Sequence, residues 1–421
     1  MWPFVCAYNH SQTPKTNYMK KVYLALISLV MGGSAIAQDS PVVNQTTGIG
    51  YENLEAAWDA AKSDEVILVN ADQEIAKRLG GSERNLTLKG ASKDIVVKRA
   101  ESYKDGLMFL SSTGSTVTIE DLTIDGNNIE LGKTVWMEAG KASGAAAGTL
   151  VLNNLILKNM NSTNGQGLIA QKSGGILKMN SVVVENCVVP EGRGHVFSGN
   201  NQSVTFGGLS KFSIYLEKDL KVNVDGLLDG SEVTLYWDIT NAKRINGGNK
   251  AIVRGIVNPE LVKSGVPGFF LESEKAGDNN LKISLSEPTV TVDDEPVGET
   301  TLVNGEAAIV EANGIKYFYT YGEEPAAAPI ESAVEYSAPV VLDKTGKFNV
   351  YAEYTSGTDV MYSAVKTFEV ESGSTTGIEG VEADENAPVE YYNLQGVRVA
   401  NPENGIFIRR QGSKVEKVYV K

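Results

Sequence analysis

The sequence contains very little cysteine and histidine, and it has no surplus of positive charge. Only two cysteines and two histidines occur among its 421 residues. If the first 37 residues are removed, Cys187 and His195 are the only ones left. One cysteine cannot form an intramolecular disulfide, and the chain shows no His/Cys spacing typical of a metal site. The formal net charge of −14 makes nucleic acid and anionic membrane surfaces poor partners.

Long apolar runs are also missing, so we expect no transmembrane helix in the mature chain. The run Val22–Met31 has about ten residues, which is too short to cross a bilayer. It follows the basic pair Lys20-Lys21 and precedes a small-residue signal that ends at Ala37. This order predicts an upstream extension and a secretory signal peptide over residues 1–37, with Met19 as the better start and cleavage after Ala37.

What the sequence does contain is a short repeat between about Asn85 and Leu227. The best copies are Val117–Ile124, Leu150–Leu157 and Leu177–Val184, with degenerate copies at Leu86–Ala91 and Val204–Leu209. Their apolar positions superpose as Val117, Ile119, Leu122, Ile124; Leu150, Leu152, Leu155, Leu157; and Leu177, Met179, Val182, Val184. A turn-forming residue stands two positions after the end of each of these three copies: Gly126, Asn159 and Asn186.

This repeat predicts a parallel β-helix. Its period of about 27 to 33 residues is too short for a domain and suits one stacking unit. Each copy consists of two period-2 strands interrupted by polar or small residues. A single coil cannot bury its apolar face, whereas stacked coils cover one another.

The segments on either side of the repeat extend this prediction. Leu54, Ala57, Trp58 and Ala61 fall at helical spacing, which predicts an amphipathic helix within residues 51–62 that covers the open end of the β-helix. Further short strand patterns continue the coil to about Leu285.

After Glu287 the pattern changes to short strands at the spacing of a β-sandwich. The predicted organisation is therefore all-β: a right-handed parallel β-helix with an N-terminal helical cap, an antiparallel β-sandwich module and a small C-terminal β domain. The predicted bounds are 51–286 for the β-helix, 287–371 for the sandwich, 372–387 for a linker and 388–421 for the last domain.

The opening helix and strand, together with the repeated pattern, resemble the right-handed β-helix of the pectate-lyase-like superfamily. That superfamily contains lyases, hydrolases, adhesins and inactive stalks, so the resemblance implies a fold and leaves the activity open.

Two further resemblances concern the C-terminal third. Residues 315–370, with Tyr317–Pro325 and Tyr336–Pro339, are similar to the Ig-like module of chitobiase C-terminal type, which implies a spacer. Residues 389–421, with Tyr392–Gly396 and Gly405–Ile408, resemble the sorting domain of the type IX secretion system of Bacteroidota. This implies an extracellular or cell-surface location and the outer-membrane secretion machinery as a partner.

The run Glu191-Gly-Arg-Gly-His195 has the composition most typical of a catalytic site. Glu191, Arg193 and His195 are weak candidates for acid–base catalysis, because a His–Glu or Arg–Glu pair can transfer protons. The alternative is a solvated polar loop. Asp121 is followed in register by Asn154 and then Ser181, so no column of acids forms and a hydrogen-bonded ladder is the expectation.

Two tryptophans are weak candidates for ligand binding. Trp136 falls in the long loop before the second good repeat copy, and Trp237 falls in a late strand. Exposed rings at these positions would stack on sugar rings, whereas buried rings would only pack the core.

The preferred hypothesis is a secreted or cell-surface β-helix protein that is not catalytic and binds a polysaccharide or glycoprotein, or acts as an adhesin-like scaffold. The alternative is a polysaccharide lyase or glycoside hydrolase, which would show either two carboxylates about 5 to 10 Å apart in a groove, as glycosidase chemistry requires, or an acid cluster beside Arg193. No cofactor is expected, except calcium if the protein is a lyase. A third hypothesis is a purely structural scaffold.

Overall fold

The computed structural model describes residues 39–421 except 81–82, 104–105, 133–134, 141–143, 173, 200–203, 218–220, 240–251, 256–257, 274–278, 299–300, 304, 323–326, 357–358, 372–386 and 413. The predicted leader, residues 1–37, lies outside these described residues. So does the predicted linker, apart from Ala387.

The first part of the described chain is built from short strands and one short helix. The helix α1 spans Leu54–Ala60. The strands are β1 Val42–Asn44, β2 Ile49–Tyr51, β3 Glu65–Val69, β4 Gln73–Ile75, β5 Leu79–Gly80, β6 Leu86–Gly90, β7 Val96–Arg99, β8 Phe109–Ser111, β9 Thr116–Glu120, β10 Thr123–Asp125, β11 Glu130–Leu131, β12 Met137–Ala139, β13 Thr149–Lys158, β14 Asn161–Ser162, β15 Ile169–Gln171, β16 Ile176–Glu185, β17 Val196–Ser198, β18 Val204–Gly208, β19 Lys211–Leu216, β20 Val222–Leu227, β21 Glu232–Trp237, β22 Val253–Arg254, β23 Val262–Ser264, β24 Phe269–Ser273 and β25 Asn280–Leu285.

These strands stack as a parallel β-helix with three faces. The first face contains β3, β6, β9, the first halves of β13 and β16, then β18, β20 and β22. The second contains β4, β7, β10 and the second halves of β13 and β16. The third contains β5, β8, β12, β15, β17, β19, β21 and β23. All these pairings are parallel, so the predicted all-β class and coiled architecture are confirmed.

The interior consists of the apolar positions that the repeat aligned. Leu152 pairs with Ile119 on one side and with Met179 on the other. All three side chains are buried. Of the twelve apolar residues in the three best copies, only Val184 is half-buried instead of buried. The third face adds a matching interior row of Phe109, Met137, Ile169, Val196 and Ile214.

The turn between the first and second faces is a polar ladder, as predicted. Asp121, Asn154 and Ser181 follow one another in register with positive φ angles of 58°, 54° and 54°. Asn154 Nδ2 donates a hydrogen bond of 2.6 Å to Asp121 Oδ1. Asn and Asp tolerate the left-handed region better than most residues, which explains their presence at this corner.

Charges alternate along the outside of the second face. Glu74, Lys98, Asp125, Lys158 and Glu185 are direct neighbours on successive strands. Lys158 Nζ lies 3.8 Å from Asp125 Oδ2. Opposite charges on adjacent strands favour this register, and a slip by one coil would place like charges side by side.

Both ends of the stack are closed. At the first end, Asn53 caps α1 by accepting a 2.8 Å hydrogen bond from Ala56 N. Trp58, a residue of this helix, has a buried side chain. At the other end, β25 pairs antiparallel with β22 and β24. The predicted parallel coils therefore end at β23, and Leu285 belongs to the antiparallel closure. Covering both ends protects the apolar layers that the last coils would otherwise expose.

The chain after β25 forms smaller sheets. Their strands are β26 Val290–Val292, β27 Glu295–Pro296, β28 Thr301–Val303, β29 Glu306–Ile309, β30 Lys316–Tyr321, β31 Val334–Glu335, β32 Val340–Val341, β33 Gly346–Ser356, β34 Asp359–Tyr362, β35 Lys366–Glu371, β36 Val389–Tyr392, β37 Arg398–Val399, β38 Gly405–Gln411 and β39 Lys414–Val420. The sheet orders are β27-β26-β29-β32, β28-β35-β33-β30-β31 with β34 beside β33, and β37-β36-β38-β39. Only the β28–β35 pair is parallel among the pairings recorded for these sheets.

The chain divides into two compact units. The first contains the chain up to Glu287 together with Glu311–Lys316 and Ala352–Ala364. The second contains Pro288–Val310, Tyr317–Tyr351 and Val365–Lys421. In the part of the chain that the structure describes, no helix has the length and apolarity needed to cross a membrane.

The interior ladder predicts a large and local stability effect. Leu152→Ala removes a buried side chain between two coils, and we expect it to lower the free energy of unfolding by about 2 to 5 kcal/mol. Val151→Ala is the matched control, since Val151 points outward from the same strand and its truncation should cost under about 1 kcal/mol. Urea unfolding measured for both variants checks this, and similar losses would contradict the assigned inward and outward positions.

Candidate functional site

The three residues of the predicted acid–base run lie on the turn between β16 and β17, but they do not form a cluster. Glu191 is exposed and has no hydrogen bond or ion pair with any described residue. The Arg193 guanidinium lies 4.2 Å from the ring centroid of Tyr215. His195 turns toward Ser213 on β19. Within the described residues, no hydrogen bond or ion pair joins these three side chains.

His195 links two successive coils. Its Nδ1 accepts a 3.1 Å hydrogen bond from Ser213 N and lies 3.0 Å from Ser213 Oγ. Because Ser213 N–H is a donor, Nδ1 must carry the lone pair, and the ring hydrogen is on Nε2. Burial lowers the pKa of His195 from its usual 6.5 to about 4. At neutral pH it is therefore a neutral structural acceptor, and its basicity is low for a general base.

The glycines in the same run have a steric role. A Cβ atom on Gly167 would lie 2.3 Å from Gly194 O, and one on Gly194 would lie 2.4 Å from Tyr215 N. Successive coils approach too closely at this corner for any side chain. The segments Gly165–Gly167 and Gly192–Gly194 occupy equivalent places in consecutive coils. This packing requirement accounts for Gly194, whereas Gly192 has open space at its Cβ position and is favoured there by its positive φ of 69°.

Of the two alternatives for the tryptophans, the structure agrees with buried rings, because both side chains occupy inward positions. Trp136 is fully buried, donates from Nε1 to Asn161 O at 3.2 Å, and has the Arg99 guanidinium 5.2 Å from its ring centroid. Trp237 is buried against Phe269, with ring centroids 6.0 Å apart. Neither ring presents a face on which a sugar could stack.

Glu120 on the first face and Asp121 at the adjoining turn are both paired with Lys89. Lys89 Nζ lies 3.0 Å from Glu120 Oε1 and 3.1 Å from Asp121 Oδ2. The hydrogen bond from Asn154, followed by the contact with Lys89, lowers the pKa of Asp121. A general acid needs a raised pKa, whereas every described carboxyl with a resolved shift has its pKa lowered. In the described ranges, no group of three or more His, Cys, Asp or Glu side chains is placed to hold a metal ion.

Further along the same face, the polar side chains are not paired. A groove of about 320 Å³ crosses β13, β16, β18 and β20 on their outer side. Its polar lining consists of Asn153, Lys178, Asn180, Thr205 and Asp225. None of these side chains has a hydrogen bond or ion pair with another described residue. We call this feature the polar groove.

Gly207 lies in the lining of the polar groove. It follows Asn153 and Asn180 in register and precedes Asp225, so the column of side chains has a gap at its position. A Cβ atom there would lie 1.8 Å from Asp225 O, which excludes every other residue. The register of β18 against β20 also shifts between Gly207 and Gly208.

The polar groove is suited to binding hydroxyl-rich molecules. Two carboxamides offer both donors and acceptors, and Lys178 and Asp225 contribute opposite charges that cancel. The volume lies at the small end of the roughly 300 to 1,000 Å³ typical of ligand sites. The lining has one carboxylate and no histidine. The arrangement can therefore hold a neutral polyol by hydrogen bonds, and it offers no obvious proton-transfer pair.

Comparison with known proteins adds no relative. No protein-family model matches the chain, and neither curated proteins nor solved structures give a significant match.

The geometry of His195 predicts a pH-dependent stability. Its folded pKa of about 4 lies below the usual 6.5, so protonation favours the unfolded state. Above pH 6.5, His195 should not lower the free energy of unfolding. As the pH falls toward 4, its protonation should lower the free energy of unfolding by at most about 3 kcal/mol.

His195→Gln is the matched variant, because the Gln Oε1 atom can accept the Ser213 N–H bond and does not titrate. Thermal unfolding of both proteins between pH 7 and pH 4 checks the prediction. The variant should lose less stability over this range than the natural chain. If the two proteins lost stability identically with falling pH, the claim that burial keeps His195 neutral would be contradicted.

Proposed function

We propose that this is a secreted or cell-surface protein with a right-handed β-helix that binds a glycan without cleaving it, and that presents the glycan site as part of an adhesin-like scaffold. The polar groove is the observation that carries the proposal, because its amides, ammonium and carboxylate have no partners among the described residues. Polar side chains on the neighbouring part of the same face pair with one another, as Lys89 does with Glu120.

The proposed location rests on the ends of the chain. The leader predicts export, and the resemblance of residues 389–421 to type IX sorting domains suggests the outer-membrane secretion machinery as a partner. These residues form a separate four-stranded sheet whose described strand residues are half-buried or exposed. A tail of this kind can act as an address without contributing to a buried core. The proposed Ig-like module between tail and β-helix would then act largely as a spacer.

The proposed ligand is a neutral polysaccharide or the glycan of a glycoprotein. The polar groove has balanced charge, and the chain as a whole is acidic. A polyanionic glycan would therefore be repelled at long range and would find a single lysine in the groove. A neutral sugar loses little on leaving water if each hydroxyl meets an amide or charged partner, which the groove lining provides.

The alternative is a polysaccharide lyase or glycoside hydrolase. Such an enzyme needs a positioned carboxyl or basic group with a pKa near its working pH. Lowered carboxyl pKa values and the neutral, coil-bridging His195 support the non-catalytic proposal over this alternative. The enzyme would be favoured if the protein released new reducing ends from the polysaccharides of the binding test below, at a level above that of a heat-inactivated sample.

The test is retention in native gels cast with soluble polysaccharides. The panel contains galactomannan, mannan, xylan and starch as neutral probes and polygalacturonate as an acidic one. We expect the natural chain to be retarded by at least one neutral probe. The double substitution Lys178→Ala with Asn180→Ala should weaken this interaction about tenfold or more, because each lost hydrogen bond costs about 1 kcal/mol.

Lys98→Ala is the control. Lys98 carries the same charge, on the outside of β7 and away from the polar groove. This variant should be retarded like the natural chain. Equal retention of all three proteins would exclude the polar groove as the binding site, and no retention on any probe would contradict the proposed function itself.

A further inference from the structure

We infer that the second unit carries an independent binding site for a neutral sugar residue, in a cleft beside Tyr321. The cleft has a volume of about 700 Å³. It lies where β30 and β35 end and β33 begins, and all its lining residues belong to the second unit. The inference extends the proposed glycan binding to a second site, but it depends on different residues from the polar groove.

Two glycines leave the backbone bare along this cleft. Gly322 and Gly346 have φ angles of 152° and 137°, which L side chains rarely adopt. Nothing lies within 4 Å of a Cβ atom placed on either residue. The absence of side chains is therefore enforced by backbone conformation, and the space beside both residues is open. Gly322 N also donates a 3.1 Å hydrogen bond to Lys347 O, which joins the two edges of the cleft.

Tyr321 supplies a fixed aromatic wall. Its ring lies 5.3 Å from the ring of Phe348, which is fully buried, and its hydroxyl donates to Val341 O at 3.3 Å. Burial, together with the nearby Asp343 and Tyr319, raises the pKa of Tyr321. The ring is thus held on one side by the core and on its hydroxyl by the backbone. A ring held in this way loses little conformational entropy when a ligand packs on it.

The polar rim of the cleft has balanced charge. Lys344 and Lys347 face Glu369 and Glu371 around the opening, and Thr345 adds a hydroxyl. Lys347 and Glu369 are direct partners in the β33–β35 pairing. A charged ligand would meet both signs, whereas a neutral polyol would meet no net repulsion. An aromatic wall, bare glycine backbone and a charge-balanced rim together match a pyranose ring with an apolar face and hydroxyl edges.

Two sites in one chain would raise the retention on a polysaccharide that contacts both. The second contact would then be intramolecular, so the apparent affinity could exceed that of either site by two or more orders of magnitude. Small glycosides would still bind each site separately. The two sites can therefore be told apart by the size of the probe.

The test uses the full chain and saturation-transfer difference NMR with methyl glycosides of glucose, galactose, mannose and N-acetylglucosamine. Thr345→Trp fills the cleft from an exposed position, and Glu331→Trp places the same residue at an exposed turn elsewhere in the second unit. Tyr321→Leu removes the aromatic wall. Each is combined with the Lys178→Ala, Asn180→Ala background, which removes the polar groove.

We expect at least one glycoside to show saturation transfer in the groove-deficient background, and Thr345→Trp and Tyr321→Leu to reduce it at least fivefold. Glu331→Trp should leave it unchanged. A signal that survives Thr345→Trp, or no signal in the groove-deficient background, would overturn the inference. The proposed function can survive such a failure. It would still be supported if the Lys178→Ala, Asn180→Ala protein, without any cleft substitution, lost its retention on polysaccharide. If the glycoside signal depended on the cleft residues and polysaccharide retention did not depend on the groove residues, the polar groove would be refuted as a binding site and the cleft would be supported.

Discussion

The structure depends on the parallel stacking of successive coils at the spacing of a β-sheet. Each coil buries its apolar side chains only against the coils above and below, so no coil is stable alone. Leu152 illustrates this, because its inward contacts are with Ile119 and Met179 of the adjacent coils. The alternating charges from Glu74 to Glu185 reinforce the same register on the outside. The helix α1 and the antiparallel strands β24 and β25 close the ends, where stacking would otherwise leave strand edges and apolar layers exposed.

Stacking also determines where binding features can arise. Every outward position has neighbours about 4.8 Å away in the next coils, so side chains form continuous columns. A column is interrupted only where a coil supplies no side chain, and Gly207 does this between Asn180 and Asp225. The same constraint removes side chains at Gly167 and Gly194. At all three glycines, backbone of a neighbouring coil lies 1.8 to 2.4 Å from where a Cβ atom would be, so successive coils approach closely both on a flat face and at a corner.

Most of the fold could be predicted from the sequence because its physical signature is local and repeated. Alternating apolar residues at a period of about 27 to 33 residues identified the coils, the interior rows of the first two faces and the Asp121–Asn154 ladder, but not the interior row of the third face. The hairpin of β1 and β2 and the antiparallel closure by β25 were missed, since they occur once and have no repeat to reveal them. The predicted site residues were less informative. Trp136 is buried just before β12 begins, where no strand alternation indicates its direction. Trp237 is buried at the end of β21, and its alternation with Val233 and Leu235 is a local signal of the inward direction. The polar groove was missed because its lining residues come from four strands in different coils, which are far apart in the sequence.

Engineered disulfides between coils test the stacking most directly. In a Cys187→Ser background, Val151→Cys with Lys178→Cys pairs outward positions on adjacent strands. Thr118→Cys with Lys178→Cys joins positions two coils apart. Adjacent parallel strands lie about 4.8 Å apart, within disulfide reach, whereas two strands away is about 10 Å, which is beyond it. The stacked-coil account predicts rapid oxidation of the first pair and almost none of the second, measured by loss of free thiol. Equal oxidation of both pairs, or of neither, would contradict it.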